Sequence, residues 1–291
     1  MPDPSAVLLI GAGGLLGRHL RRALGDIRTI STVHGNESGA SISLDITDDE
    51  AVRRAIREAK PDVILLAAAE AYVERCEREP AATRRVNVDA PRVIAAESQA
   101  VGAMLVVFSS EYVFDGTAGR YAEGDERRPI NEYGRQKVDL EDLVLATGRG
   151  LVCRTSGVFG ADPRRKNFVC QLVDHLRAGE PFDVASDQLI TPTYAPALAD
   201  AVVRLVRLRQ EGTVHVAGPR ILGRMEFAQL VAEAYALPTE LLRPRLTAEL
   251  GLAARRPLRC GLEVDTLRRT LGTDLTAPAA ALREMALAEA A

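Results

Sequence analysis

A glycine-rich loop near the start of this 291-residue chain constrains its fold more than any other feature. Immediately after the apolar run Ala6–Ile10 comes Gly11-Ala12-Gly13-Gly14-Leu15-Leu16-Gly17, and a helical pattern begins within it. Glycines between a buried strand and a helix permit a tight turn and close backbone approach to a pyrophosphate at the helix N-terminus. We therefore expect this loop to bind a dinucleotide, and the alternative is a turn without a ligand.

Strand and helix patterns alternate through the first half of the chain. The clearest predicted strands are Val7–Ile10, Thr29–Val33, Val63–Ala67 and Met104–Ser109. The predicted helices are Leu15–Leu24, Asp48–Ala59 and 81–100, the last kinked or restarted at Pro91 after a cap at Asp89. Continuously apolar strands indicate burial on both faces. The pattern predicts an α/β fold with a doubly wound parallel sheet of the Rossmann type and a smaller, mostly C-terminal substrate-binding lobe.

The domain boundaries follow from a change of pattern. Beyond Gly160 the segments become short and are separated by prolines. We expect residues 1–160 to form the NAD(P)-binding domain, with a segment near 183–215 returning to it. Residues 161–182 and 216–291 are expected to form the smaller lobe.

Composition excludes several classes of function. A net charge of -3 without a basic stripe argues against nucleic acid as a ligand. Without an apolar run of ~20 residues or an export signal, we expect a cytoplasmic protein that does not enter membranes. The four cysteines are scattered and the histidines are isolated, so we expect neither disulfides nor a metal site.

A tyrosine and a lysine lie four residues apart in Tyr133-Gly134-Arg135-Gln136-Lys137, on one face of a predicted helix. An ammonium beside a phenol favours the phenolate, which makes proton transfer possible nearer neutral pH. An exposed helical pair with one aromatic ring in the core is the alternative.

The glycine loop and this pair together resemble the extended short-chain dehydrogenase/reductase superfamily. Gly11, Gly14 and Gly17 follow its GxxGxxG spacing. Nearly the whole chain is similar to the dTDP-4-dehydrorhamnose reductase family, through motifs that occur in the same order: Leu66-Ala67-Ala68-Ala69, Glu77-Arg78-Glu79-Pro80, Phe108–Gly116, Asn131–Lys137, Arg154-Thr155-Ser156, Asp187-Gln188 and Pro192-Thr193.

This resemblance implies three catalytic residues. Tyr133 would protonate a substrate ketone, Lys137 would lower the pKa of Tyr133 and hold the nicotinamide ribose, and Ser110 would bond to the carbonyl oxygen. Two donors there stabilise the negative charge that develops as hydride reaches the carbon. Ser110 alone would be better explained as a strand-end hydroxyl that caps a turn.

The resemblance also implies cofactor contacts, each with a structural alternative. The alanines at 67–69 leave room for a dinucleotide or simply pack. Asn87 lies beside the cofactor or satisfies buried backbone groups. Asp45 and Ile46 flank adenine, or Asp45 caps a helix.

The expected cofactor is NADPH, with NADH as the second possibility. No acid appears in Thr32–Asn36, after the second strand, where NAD enzymes often bind the ribose, and Arg18 follows the last loop glycine. Arg18 on a helix surface and His34 on the protein surface are the alternatives.

Departures from the family concern the substrate. Gly157 stands where the family usually has tryptophan, and Glu111 replaces an aspartate, so the substrate is expected to be bulkier or differently oriented. Lys166, Asn167 and Arg256 are candidates for contacting a nucleotide diphosphate, with surface salt bridges as the alternative.

The leading hypothesis is an NAD(P)H-dependent ketoreductase that acts on a nucleotide-activated deoxysugar or a similar polar ketone. A homodimer is one assembly that the resemblance allows, since extended reductases commonly pair through helices of the main domain. An NAD-retaining sugar-nucleotide epimerase is a second enzymatic hypothesis. The third is a non-catalytic regulatory subunit, since the beta subunit of methionine adenosyltransferase resembles the same family.

Overall fold

The computed structural model describes residues 4–35 and 42–290, so Asn36 of the expected cofactor segment lies outside the described residues. The strands are β1 (Val7–Ile10), β2 (Thr29–Val33), β3 (Ile42–Ser43), β4 (Val63–Leu66), β5 (Met104–Ser110), β6 (Gly119–Tyr121), β7 (Gly150–Thr155), β8 (Val158–Phe159), β9 (Phe182–Ala185), β10 (Leu189–Ile190), β11 (Thr193–Tyr194), β12 (Gly212–His215), β13 (Leu222–Gly223), β14 (Leu242–Arg245) and β15 (Cys260–Leu262). The helices are α1 (Leu15–Ala23), α2 (Asp49–Ala59), α3 (Val73–Arg78), α4 (Pro80–Arg84), α5 (Ala90–Val101), α6 (Glu132–Leu145), α7 (Phe168–Arg177), α8 (Ala195–Arg207), α9 (Arg224–Ala234), α10 (Asp265–Leu271) and α11 (Pro278–Ala290).

A seven-stranded parallel sheet in the order β12-β7-β5-β4-β1-β2-β3 forms the centre of the described structure. Side chains alternate between its faces: Leu9 packs towards α1 and α8, whereas Leu8 packs towards α2, α5 and α6. Both leucines are fully buried. This two-sided burial confirms the predicted α/β fold with a doubly wound parallel sheet.

The predicted helix 81–100 differs from expectation at Asp89. The chain continues from α4 through a wider π turn, Arg85–Asp89, into α5, and the Asp89 side chain caps nothing. The amide of Ala90 bonds to the carbonyl of Arg85, five residues back. The predicted cap was wrong because the wider turn lets the helix continue into Pro91, which lacks an N–H.

A third hydrophobic cluster lies away from the sheet, where α7, α9 and α11 contribute Val173, Phe227 and Leu282. The chain also returns to the sheet: β12 pairs with β7, and Leu267 of α10 joins the core on the α8 side. The division into 1–160, 183–215, 161–182 and 216–291 stays a prediction. No helix within the described ranges is long and apolar enough to cross a bilayer.

Candidate active site

A cavity of about 640 Å³ opens above the glycine loop and the ends of β1, β2 and β4. It is lined by Ile10, Gly11, Gly13, Gly14, Thr32, Val33, His34, Leu44, Asp45, Ile46, Thr47, Ala67, Ala68, Ala69, Arg75, Val86 and Arg164. We call it the cofactor cavity. Its position at the carboxyl ends of parallel strands is where α/β proteins of this type bind nucleotides.

Close backbone packing explains two of the loop glycines. Gly11 has φ +93°, and a Cβ there would lie 2.5 Å from the amide nitrogen of Ala68. A Cβ at Gly17 would lie 2.1 Å from the carbonyl oxygen of Gly11. Only glycine permits these approaches, which place the N-terminus of α1 beneath the cavity. Leu15 and Leu16 begin that helix, so the loop fits a dinucleotide pyrophosphate.

The polar residues near this cavity are fixed by local hydrogen bonds. Asp45 accepts from the amide and hydroxyl of Thr47, which lowers the pKa of Asp45, while Asp48 caps α2 by accepting from Ala51. Asp45 is therefore not the helix cap. The buried side chain of Asn87 bonds to both backbone groups of Glu70 and lines a second, adjoining cavity. The alternative, that Asn87 satisfies buried backbone groups, is therefore present, and its contact with the cofactor stays a prediction.

Arg18 has partners within the protein. Its guanidinium donates to the carbonyl of Gly13 and to the carboxylate of Asp162, both at 2.6 Å, and it does not line the cofactor cavity. Arg164 does line the cavity and also donates to Gly13. Arg164 and Arg75, rather than Arg18, are therefore the arginines that line the cofactor cavity.

The second cavity, of about 450 Å³, adjoins the first at Ala67–Ala69, which line both. It contains the three predicted catalytic residues, Ser110 at the end of β5 and Tyr133 and Lys137 on α6. We call it the catalytic cavity. Because the two cavities meet, a dinucleotide lying in the first can present one end to these side chains.

Gly134 explains how α6 reaches the end of β5. A Cβ at this position would lie 2.2 Å from the carbonyl oxygen of Tyr112. The helix begins with a cap by Asn131, whose Oδ1 accepts from the amide of Gly134 at 2.8 Å. Glycine and cap together bring Tyr133 beside the turn that follows Ser110.

Burial controls the protonation of the Tyr133–Lys137 pair. The Lys137 ammonium donates to the carbonyl of Phe108 at 2.9 Å and lies 5.5 Å from the centre of the Tyr133 ring. Burial lowers the pKa of Lys137 to about 8. Burial, followed by the nearby Glu111, raises the pKa of Tyr133. The lowering of the Tyr133 pKa by Lys137 does not appear in this structure, because desolvation of the phenolate dominates. The role of Tyr133 as a proton donor stays a prediction.

Ser110 is held by the acid that follows it. Its hydroxyl donates to Oε2 of Glu111 at 2.6 Å, and Ser156 donates to Oε1 at 3.1 Å. Ser110 also accepts from the amide of Tyr112 at 3.3 Å, so its predicted capping alternative is present too. Burial raises the pKa of Glu111, which the two hydroxyls oppose. Glu111 therefore orients the serine within the catalytic cavity.

The predicted substrate residues separate into two groups. Glu111, Gly157 and Lys166 line the catalytic cavity, and Gly157 has φ +52°, a conformation that favours glycine over the family's tryptophan. Asn167 instead caps α7 by accepting from Cys170. Arg256 pairs with Glu74 at 2.7 Å outside the cavity lining. Both side chains therefore have partners within the protein, and their contact with a nucleotide diphosphate stays a prediction.

Sequence reasoning missed Arg224, which lines the catalytic cavity from the start of α9. Its guanidinium lies 4.4 Å from the centre of the Phe168 ring. No motif surrounds Arg224 in the sequence, and only the packing of α9 against α7 brings it to the cavity. No cluster of acidic, histidine or cysteine side chains suited to a metal occurs within residues 4–35 and 42–290.

The site has two parts at the carboxyl edge of the doubly wound sheet: a glycine loop lies under one cavity, and Ser110, Tyr133 and Lys137 lie in the adjoining one. Together they define the class of protein. The protein is an NAD(P)-dependent oxidoreductase of the short-chain dehydrogenase/reductase type, acting on a keto group. Within that class the chain belongs to the RmlD substrate binding domain family, whose model matches residues 5–290. The predicted family resemblance is confirmed.

Relatives and solved structures agree over most of the chain. A dTDP-4-dehydrorhamnose reductase of Burkholderia thailandensis is 31% identical, covering 92% of this chain and 94% of the relative. Subunit beta of methionine adenosyltransferase 2 from Mus musculus is also 31% identical, covering 94% and 84%. The structure of dTDP-4-dehydrorhamnose reductase from Bacillus anthracis in complex with NADP has a TM-score of 0.89 at 28% identity, covering 98% and 99%.

Proposed function

We propose that this protein reduces the keto group of a nucleotide-activated 4-keto deoxysugar, with NADPH as its preferred cofactor. The observation that carries the proposal is the single cavity that holds Ser110, Tyr133 and Lys137 and adjoins the cofactor cavity. The Burkholderia thailandensis and Bacillus anthracis reductases, by their names, act on such a sugar. Arg164 at the cofactor cavity and NADP in the latter structure support NADPH.

Each catalytic residue has a physical role in this proposal. A bound NADPH supplies the hydride. Tyr133, protonated because its pKa is raised, donates its proton to the substrate oxygen as negative charge develops there. Ser110 supplies a second donor to that oxygen by turning from Glu111. Lys137 holds a positive charge beside Tyr133 while the phenolate exists.

Oxidation of NADPH by the purified protein with dTDP-4-keto-6-deoxy sugars tests the proposal. The wild type should turn over at least one of them, whereas Tyr133→Phe should lower kcat by ~10²–10⁴, because the proton donor is lost. The Kd for NADPH, measured by fluorescence titration, should stay within about twofold. A uniform lack of turnover across a panel of nucleotide 4-keto sugars would reject the sugar assignment.

Tyr194→Phe is the matched control. Tyr194 is as buried as Tyr133, but its hydroxyl bonds to Glu284 in the third hydrophobic cluster, away from both cavities. This variant should retain the kcat of the wild type. A comparable loss in both tyrosine variants would attribute the effect to general destabilisation.

The regulatory alternative has one specific observation in its favour, the 31% identity to subunit beta of methionine adenosyltransferase 2. Under this alternative the protein forms a stable complex with a second enzyme, and the activity of that complex is the same with Tyr133→Phe. Co-purification from the native host, followed by assay of the complex with both variants, separates the two functions.

A further inference from the structure

Three cations and one acid line the catalytic cavity, and only some of these charged groups have hydrogen-bond partners within the protein. Lys137 donates to Phe108, and Glu111 accepts from two serines. The charged groups of Lys166 and Arg224 donate no hydrogen bond within the described part of the chain, and both line the cavity. The cavity thus carries available positive charge on the side formed by α9 and by the residues just before α7.

Arg224 is positioned for a planar, bidentate contact. Its backbone amide donates to the carbonyl of Gln188 at 2.8 Å, which fixes the start of α9. Its guanidinium stacks on Phe168, so that the N–H groups at its edge stay free to donate. Burial lowers the pKa of Arg224, Tyr112 and Glu111 oppose that effect, and the positive charge of Arg256 adds to it. An anion bound at the free edge of the guanidinium would supply the hydrogen-bond acceptors that the protein does not.

A second guanidinium with an unpaired N–H group, that of Arg256, lies near the same wall of the cavity. Nη1 of Arg256 is buried without a hydrogen-bond partner, and the guanidinium carbon lies 5.8 Å from the centre of the Tyr112 ring. Tyr112 itself lines the catalytic cavity and interacts electrostatically with Arg224. Arg224 and Arg256 thus bring positive charge to Tyr112, and Glu111, which also interacts with Arg224, is the one acid that lines this cavity.

We infer that Arg224 binds the diphosphate of a nucleotide-linked substrate and gives the enzyme its requirement for the nucleotide. A guanidinium with a free edge matches two phosphate oxygens, whereas a neutral sugar would leave it unpaired. The inference rests on the proposed function, since it assigns the substrate's charged group to that same cavity. It makes Arg224 a specificity-determining residue that plays no part in proton transfer.

The test is calorimetric titration of dTDP into the full-length protein saturated with NADPH. Arg224→Met keeps the hydrophobic packing on Phe168 but removes the charge, and it should weaken dTDP binding by about tenfold or more. Arg224→Lys should have an intermediate effect, because a point charge replaces a bidentate donor. With the 4-keto sugar nucleotide, Arg224→Met should raise KM far more than it lowers kcat.

Arg220→Met is the control, since Arg220 is exposed and pairs with Glu226 outside the catalytic cavity. Its dTDP affinity and that of the wild type should agree, and NADPH affinity should agree in all variants. If Arg224→Met and Arg224→Gln both bind dTDP as tightly as the wild type while the wild type turns over its substrate, the inference is wrong. If no 4-keto sugar is turned over but dTDP binding still depends on Arg224, only the proposed reduction is rejected. A wild type that does not bind dTDP rejects the inference.

Discussion

Glu111 decides how Ser110 is used. The Glu111 side chain accepts the one hydrogen bond that the Ser110 hydroxyl can donate, and Ser156 donates to the other oxygen of the same carboxyl group. Substrate binding must therefore compete with an existing hydrogen bond of 2.6 Å. Motif order identified Ser110 and Glu111 from the sequence, but the bond between their side chains could not be predicted, because it depends on rotamers set by Ser156 and by the close contact of α6.

Ser110→Ala should lower kcat by about 10²–10³, the range seen for removal of one donor to a developing oxyanion. Steady-state kinetics with the 4-keto sugar nucleotide measure the effect. Ser156→Ala is the paired control, since Ser156 bonds to the same Glu111 without lining the catalytic cavity. It should cost about 1–3 kcal/mol of stability, because the buried amide of Thr191 loses its acceptor, yet leave kcat within a few fold. Equal losses of kcat in both variants would mean that Ser110 acts only through Glu111.

At the scale of elements, the site depends on how closely α6 approaches the turn after β5. Helix α6 is also tied to the sheet by a buried ion pair, in which Glu141 accepts from Nε and Nη2 of Arg154 on β7, each at 2.8 Å. Ser109 on β5 donates to the same carboxylate. Helix and strand patterns predicted α6 and β5 correctly. Their spacing came from Gly134, whose importance is not apparent without the facing carbonyl of Tyr112.

Gly134→Ala should displace α6, because its Cβ would lie 2.2 Å from a backbone oxygen. We expect kcat to fall at least tenfold and the melting temperature to drop, whereas Gly124→Ala should change neither. A Cβ at Gly124 would meet no other atom within 4 Å, and the backbone φ of Gly124 is one that alanine adopts readily. Kinetics and thermal unfolding of the two variants check this. Full activity in Gly134→Ala would show that the catalytic geometry tolerates a displaced helix.

At the scale of the whole molecule, segments far apart in sequence are joined by buried polar contacts. His215 on β12 is fully buried; its Nδ1 lies 3.0 Å from the carbonyl of Glu263, and its Nε2 lies 3.4 Å from Nη1 of Arg154. One neutral tautomer satisfies both contacts, with Nδ1 donating and Nε2 accepting. Burial lowers the pKa of His215 to about 4, despite the opposing effect of Glu123.

This histidine should make stability depend on pH. Between its ordinary pKa of about 6.5 and its folded value of about 4, the unfolded chain binds a proton that the folded protein does not. The free energy of unfolding should therefore fall on acidification through that window, by up to about 1.4 kcal/mol per pH unit from this group. Urea unfolding at pH 7 and pH 5 should show a smaller difference for His215→Gln than for the wild type. The exposed His175 provides the control variant His175→Gln, and an unchanged difference in His215→Gln would contradict the assignment.

Local patterns allowed the sheet, its helices and the residues proposed as catalytic to be predicted, because each is encoded by neighbouring residues. Partners in local caps and distant segments could not be predicted in this way. Asn167, Arg256 and Arg18 were assigned to ligands from their chemistry alone, and the structure gives each of them a partner within the protein. Arg224 was missed for the converse reason, since only the packing of α9 on α7 gives it a role.

The pairing of β12 with β7 also affects how the chain can fold while it is being made. β7 is complete once Thr155 has been synthesised, yet the strand that covers its outer edge begins only at Gly212. At 5–20 residues per second a ribosome needs roughly 3–11 seconds to add that stretch. During this interval the nascent sheet presents an open parallel edge and an α1 surface without α8, the kind of exposed pairing surface that chaperones protect.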